Sequence, residues 1–228
     1  SAACAAVALM SAAPALAQVP PAPVPAAPAT PDAFTYHDMI SANRLGDPQV
    51  SPDGRYVVYS VTTTDVEANR RAGSLWMLDL NTPDAAPRRL AISDQGANTA
   101  RWGSDGRIYF LSGKSGSSQV WRAEADGSRP VQVTDLPLDV NAYRLSPQAD
   151  KVAVSLAVYP DAADLGASVA MAQSRAEQKT TAKVYDRMFV RHWDTWNDHT
   201  QNHLFVQSIG RDGKATGTPV WITKGFDG

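Results

Sequence analysis

The sequence of 228 residues has almost no cysteine: Cys4 is the single one. It lies in an Ala-rich opening stretch with the marks of a cleavable export signal, so the processed chain would hold none. That excludes a disulfide framework and a thiolate metal site, and leaves stability to apolar burial. The chain also lacks an excess of charge. With 21 Lys and Arg against 23 Asp and Glu its formal net charge is −2. There is no Lys/Arg run, so nothing favours a nucleic acid or an anionic membrane as partner. Histidine is scarce, with four in all. No long apolar run follows the opening stretch, and no stable membrane anchor is expected.

The first seventeen residues, SAACAAVALMSAAPALA, resemble the apolar and cleavage regions of a secretory signal without its basic start. Ala15-Leu16-Ala17 is an A-x-A site, which predicts cleavage between Ala17 and Gln18 and a periplasmic or secreted location. Residues 18–33 are rich in Pro and Ala and read as an extended linker. Residues 34–45 carry Phe34, Met39 and Ile40 at helical spacing, with Thr35 placed to cap a short helix.

From residue 46 the pattern changes to short strands and repeats itself. VSPDGRYVVYS at 50–60, WGSDGRIYFLS at 102–112 and LSPQADKVAVS at 145–155 each join an apolar lead-in to a tight polar turn and a strong strand. Each is followed by a strand bearing Trp or Phe and a short outer strand. Four antiparallel strands at a period of ~40–50 residues predict β-propeller blades. The expected fold is an all-β partial propeller of about three four-stranded blades, at about 48–93, 98–135 and 141–224. Trp76, Trp102, Trp121 and Phe205 are the expected inter-blade core. An ordinary β-sandwich is the competing fold. The third turn lacks Asp-Gly and is expected to take another geometry.

The third unit is interrupted by residues 160–202. Residues 167–182 are rich in helix formers. The run that follows, VYDRMFVRHWDTW, is dense in aromatic and charged side chains, and long propeller insertions often carry binding. Arg187 and Arg191 could hold a peptide carbonyl or carboxylate, and Trp193 and Trp196 could wall an apolar side chain. Equally, Arg191 could pair with Asp194 while both indoles pack between blades. Glu177, Glu67 and Glu124 are equivalent candidates for holding a peptide N-terminus.

SPDGR followed by LWMLDL, together with KVYDRMFVRHWDTWNDHTQNHLFV, resembles the propellers of the prolyl oligopeptidase family of serine peptidases, in its bacterial dipeptidyl- and acylaminoacyl-peptidase branch. The resemblance spans roughly residues 34–228. It implies a C-terminal α/β-hydrolase domain that carries a Ser-Asp-His triad, capped by a propeller that admits short peptides. No catalytic residue is expected in this chain. Its nearest approach to a G-x-S-x-G elbow, around Ser168, lacks the last Gly. The chain is therefore expected to be the N-terminal part of a longer product, with a peptide substrate and the hydrolase domain as partners. TolB-like propellers share the SPDG repeat, so a non-enzymatic periplasmic protein-binding propeller is the alternative.

No cofactor or metal is expected. His199 and His203 have H-x₃-H spacing without the Glu that a zincin needs. Gly113-Lys114-Ser115 lacks the first Gly of a phosphate loop, since Ile108 stands there.

Overall fold

The computed structural model describes residues 33–180, 182–185, 188 and 190–226. The expected leader, most of the linker, the cleavage pair Ala17 and Gln18, and Arg187 lie outside the described residues. Tyr36–Gly228 groups as one compact unit.

The fold is mostly β, with four antiparallel sheets among the described residues. Three are four-stranded meanders. The first runs β1 (Arg44–Val50), β2 (Tyr56–Asp65), β3 (Arg70–Asp79) and β4 (Arg88–Arg89). The second runs β5 (Asn98–Trp102), β6 (Ile108–Ser112), β7 (Gln119–Ala123) and β8 (Val131–Gln132). The third runs β9 (Val140–Leu145), β10 (Lys151–Val158), β13 (Gln201–Ile209) and β14 (Ala215–Trp221). Between β10 and β13 lie helix α2 (Leu165–Ala176) and a hairpin of β11 (Arg191–His192) and β12 (Thr195–Trp196).

The helix expected over 34–45 is α1, Tyr36–Ser41, and the chain is in strand from Arg44. Gly46 and Pro48 disfavour helix, and the Arg44 and Leu45 backbones pair with Thr62 and Val61.

The second sheet explains why the sequence alternates so little there. All five residues of β6 are buried. Successive side chains point to opposite faces of a strand. Ile108 and Phe110 join Leu75, Met77 and Val58 of the first sheet. Tyr109 and Leu111 join Val154, Leu156 and Phe205 of the third. A strand with a sheet on each side has no polar face to offer. Polar latches cross the same seams. Arg101 pairs with Asp47 at 2.5 Å, and Trp102 Nε1 donates to the Gln49 carbonyl at 3.1 Å. Arg88 donates to the Asp126 carbonyl at 3.1 Å, and Arg122 to the Asp212 carbonyl at 2.8 Å.

Two expectations are corrected. Trp121 and Phe205 are buried and the half-buried Trp102 packs against the cluster between the first two sheets, but the half-buried Trp76 lies outside it. On β3 the residues facing the second sheet are Leu75 and Met77, which puts the intervening Trp76 on the opposite face. The third turn also keeps the geometry of the first. In one, Ser51 N–H donates to the Tyr56 carbonyl and Gly54 N–H to the Ser51 carbonyl. In the other, Ser146 N–H donates to the Lys151 carbonyl and Ala149 N–H to the Ser146 carbonyl. The fourth residue is left-handed in both, at φ +73° for Gly54 and +53° for Ala149. Each serine hydroxyl oxygen accepts the N–H that opens the next strand, Tyr56 at 2.8 Å and Lys151 at 3.0 Å. Between these two turns it is the serine, and not Asp-Gly, that is kept, whereas the second copy keeps Asp105-Gly106 and has Gly103 in the serine's place. The acid has moved two places, since Ser51 donates to Asp53 and Ser146 to Asp150.

Candidate functional site in the insertion

The insertion between β10 and β13 sits where a meander needs only a short turn. Asp164 caps α2, its carboxylate accepting the Ala167 N–H at 2.8 Å. That cap starts the helix before the residues richest in helix formers, and the helix ends at Ala176 rather than continuing to 182. Ser168 is 2 % exposed, and its hydroxyl oxygen accepts the Tyr159 N–H at 3.0 Å. It ties α2 to the end of β10 and has no access to a substrate.

Beyond α2 an aromatic ladder organises the chain. The Tyr185 ring stacks on Trp196 at 6.1 Å and on His199 at 5.3 Å, and its hydroxyl donates to the Asn197 carbonyl at 2.8 Å. Arg191 faces Trp196 across the hairpin, its guanidinium 5.5 Å from the ring. The sequence left open whether these residues pair locally and pack as core. They do not: Trp193 is 83 % exposed and Trp196 49 %, and among the described residues Arg191 has no ion pair with Asp194. Trp193 opens the two-residue turn of the hairpin at φ +53°. That left-handed conformation favours glycine there. An indole is thus held out to solvent on a strained backbone.

Arg191, Trp193 and Trp196 therefore share one exposed hairpin, while Arg187 lies outside the described residues. Behind the hairpin are two clefts the sequence did not signal. One of about 860 Å³ is lined by Tyr159, Arg175, Lys183, Asn197 and His199 among others. The other, about 660 Å³, shares Tyr159, Arg175 and His199 and reaches Met188, His203 and Phe226. Arg175, at the end of α2, lays its guanidinium 4.6 Å from the Tyr159 ring and donates to the Asp198 carbonyl at 3.0 Å. Burial resists ionisation of Asp198, but bonds from the Thr200 hydroxyl and N–H outweigh it and hold its carboxyl below the usual range.

His199 and His203 part company. His199 stacks on Tyr185, whereas His203 is 3 % exposed in β13 with Nδ1 3.1 Å from the Thr223 carbonyl. Glu177, the C-cap of α2, lies on the insertion, while Glu124 ion-pairs with Arg107 in the second sheet. Lys114 of the SGKSGSS loop lies over the Trp121 ring, at 5.6 Å.

No protein-family model matches the chain. It is 26 % identical over 176 residues to a dipeptidyl-peptidase 5 of Porphyromonas endodontalis, covering 76 % of this chain and 24 % of the relative. It is 24 % identical over 187 residues to a dipeptidyl-peptidase 5 of Arthroderma otae, covering 79 % and 25 %. The chain is related to the propeller part of prolyl oligopeptidase-family peptidases. Its fold matches a Pyrococcus horikoshii acylaminoacyl peptidase at a TM-score of 0.56, with 12 % identity over 81 % of this chain and 26 % of that one. The chain spans about a quarter of the length of these relatives.

Proposed function

We propose that this chain is the propeller part of an exported serine peptidase of the prolyl oligopeptidase family. In this reading the three four-stranded sheets are successive blades, and the insertion at 160–202 recognises and gates short peptides. Catalysis comes from an α/β-hydrolase domain outside these residues. The observation that carries the reading is the hairpin bearing Arg191, Trp193 and Trp196. Two indoles and a guanidinium stand exposed on it, at the cost of backbone strain of about 1–3 kcal/mol. Such strain persists where it serves a function, and aromatic and Arg side chains are the usual anchors of peptide contacts. Kinship with dipeptidyl peptidases supports peptides as the ligand class.

The test is a fluorophosphonate label on the full-length gene product. Labelling of one serine outside residues 1–228 is expected. No labelling would reject the peptidase reading and leave a non-catalytic, protein-binding propeller, and labelling of a serine within this chain would overturn the placing of catalysis outside it. Export is tested separately by sequencing the N-terminus of the mature protein, which is expected to begin at Gln18.

A further inference from the structure

The larger cleft behind the hairpin is lopsided in charge. Two cations, Arg175 and Lys183, line it against one carboxylate, that of Asp198. Asp198 is already engaged, its Oδ1 accepting the Thr200 hydroxyl at 2.7 Å and the Thr200 N–H at 3.0 Å. The seven ion pairs among the described residues involve six Arg side chains and all lie between Asp47 and Arg129. Arg175 and Lys183 have none.

Arg175 is nevertheless held in place. Its guanidinium lies against the ring of Tyr159, itself 7 % exposed, and one nitrogen is fixed by the Asp198 carbonyl. A guanidinium laid on an aromatic ring keeps its remaining in-plane N–H groups free for a carboxylate, which it can bind through two parallel hydrogen bonds. The rest of the wall includes Val184 and Ala176, with the amide of Asn197 among them. Apolar groups beside an anion site suit a molecule that joins a carboxylate to a side chain and an amide backbone. The volume, about 860 Å³, is in the range of small-ligand sites.

We propose that this cleft is a subsite for the C-terminal carboxylate of a short peptide, with Arg175 as its principal donor and Lys183 adding positive charge. The proposal rests on the reading that this chain handles peptides, and it makes substrate length a quantity the propeller measures. A peptide too long to place its carboxylate there forgoes the contact.

The experiment compares the pentapeptide Gly-Ala-Gly-Ala-Phe as free acid with its C-terminal amide. Binding is measured by calorimetry to the full-length gene product after fluorophosphonate treatment, so that nothing is turned over. The acid is expected to bind about tenfold more tightly than the amide, the size of one charged hydrogen bond. Arg175→Gln should erase that ratio and leave amide binding unchanged. Lys183→Gln, at an exposed position, should reduce the ratio about threefold and guards against a folding defect in the first variant. Equal binding of acid and amide, or a ratio unchanged in both variants, overturns the subsite while the peptide reading stands. So does displacement of the acid by an equal concentration of inorganic phosphate, which would mark a general anion patch. Failure to bind either peptide removes both.

Discussion

Adding one methyl group to Gly213 should cost several times what it costs at Gly54, although both glycines follow Asp in a tight turn. Both are left-handed, at φ +81° and +73°. An L-residue in that region costs about 1–2 kcal/mol. At Gly54 that is the whole cost, because a Cβ there meets nothing within 4 Å. At Gly213 the Cβ would stand 1.7 Å from Cζ of Arg122. The guanidinium must leave, and with it goes its hydrogen bond to the Asp212 carbonyl, which latches the second sheet to the third at 2.8 Å. A hydrogen bond from a charged group is worth about 1.5–3 kcal/mol. Gly213→Ala should therefore cost about 3–5 kcal/mol and Gly54→Ala about 1–2 kcal/mol, as read by urea unfolding of the purified chain. In an Arg122→Ala background the two costs should converge. Equal costs in the parent background, or no convergence without Arg122, would refute the inter-sheet latch.

Trp193→Gly should leave stability unchanged or raise it by about 1 kcal/mol in the same assay, because it relieves a left-handed residue whose indole is 83 % exposed. Ser51→Ala should raise the Asp53 carboxyl toward its ordinary value, followed by NMR titration, since the Ser51 hydroxyl is the largest influence holding it down. The sign follows: a lowered folded value means the Ser51–Asp53 contribution is present above about pH 4 and is lost as pH falls through the folded value. Gln119→Leu should destabilise by about 3 kcal/mol or more in urea, because the fully buried amide bonds the Leu136 N–H, the Leu136 and Leu138 carbonyls and the Thr134 hydroxyl, and leucine would leave buried groups unpaired. The isolated chain should self-associate in sedimentation velocity through the exposed Leu45 and Val50 of β1, the exposed Val220 of β14 and the exposed Ile222 just after it. Lys at positions 220 and 222 should reduce that association, and a monodisperse parent chain would contradict it.

The repeat was legible because each unit restates a tight polar turn and an apolar strand, led by serine in the first and third units and by Gly103 in the second, and in the first two an acid closes on the turn's Arg. Arg55 meets Asp79 at 2.9 Å, and Arg107 meets Glu124 at 3.3 Å. The facing of β3 was not legible from composition. Trp76 is the largest residue in LWMLDL, but period-2 geometry decides which residues are inward, and the register chose Leu75 and Met77. The third turn was misjudged because Gly was taken as its essential residue, whereas Ser146 supplies the bonds and Ala149 accepts the strained conformation. At the candidate site the residue types of the hairpin were visible in the sequence, and their exposure was not. The clefts could not be seen at all. Tyr159 follows β10 and Arg175 lies in α2, and Asn197 and His199, more than twenty residues further along the chain, line the same cleft.

The central claim is that the insertion contacts peptide while the chemistry lies elsewhere. Its most direct test is steady-state cleavage of a dipeptidyl substrate by full-length protein carrying Trp193→Ala and Trp196→Ala, beside the rate of fluorophosphonate labelling. We expect kcat/KM to fall about tenfold or more, as loss of aromatic anchors does in peptide interfaces, with the labelling rate unchanged. An unchanged kcat/KM would contradict the claim, and so would a labelling rate that fell in step with it.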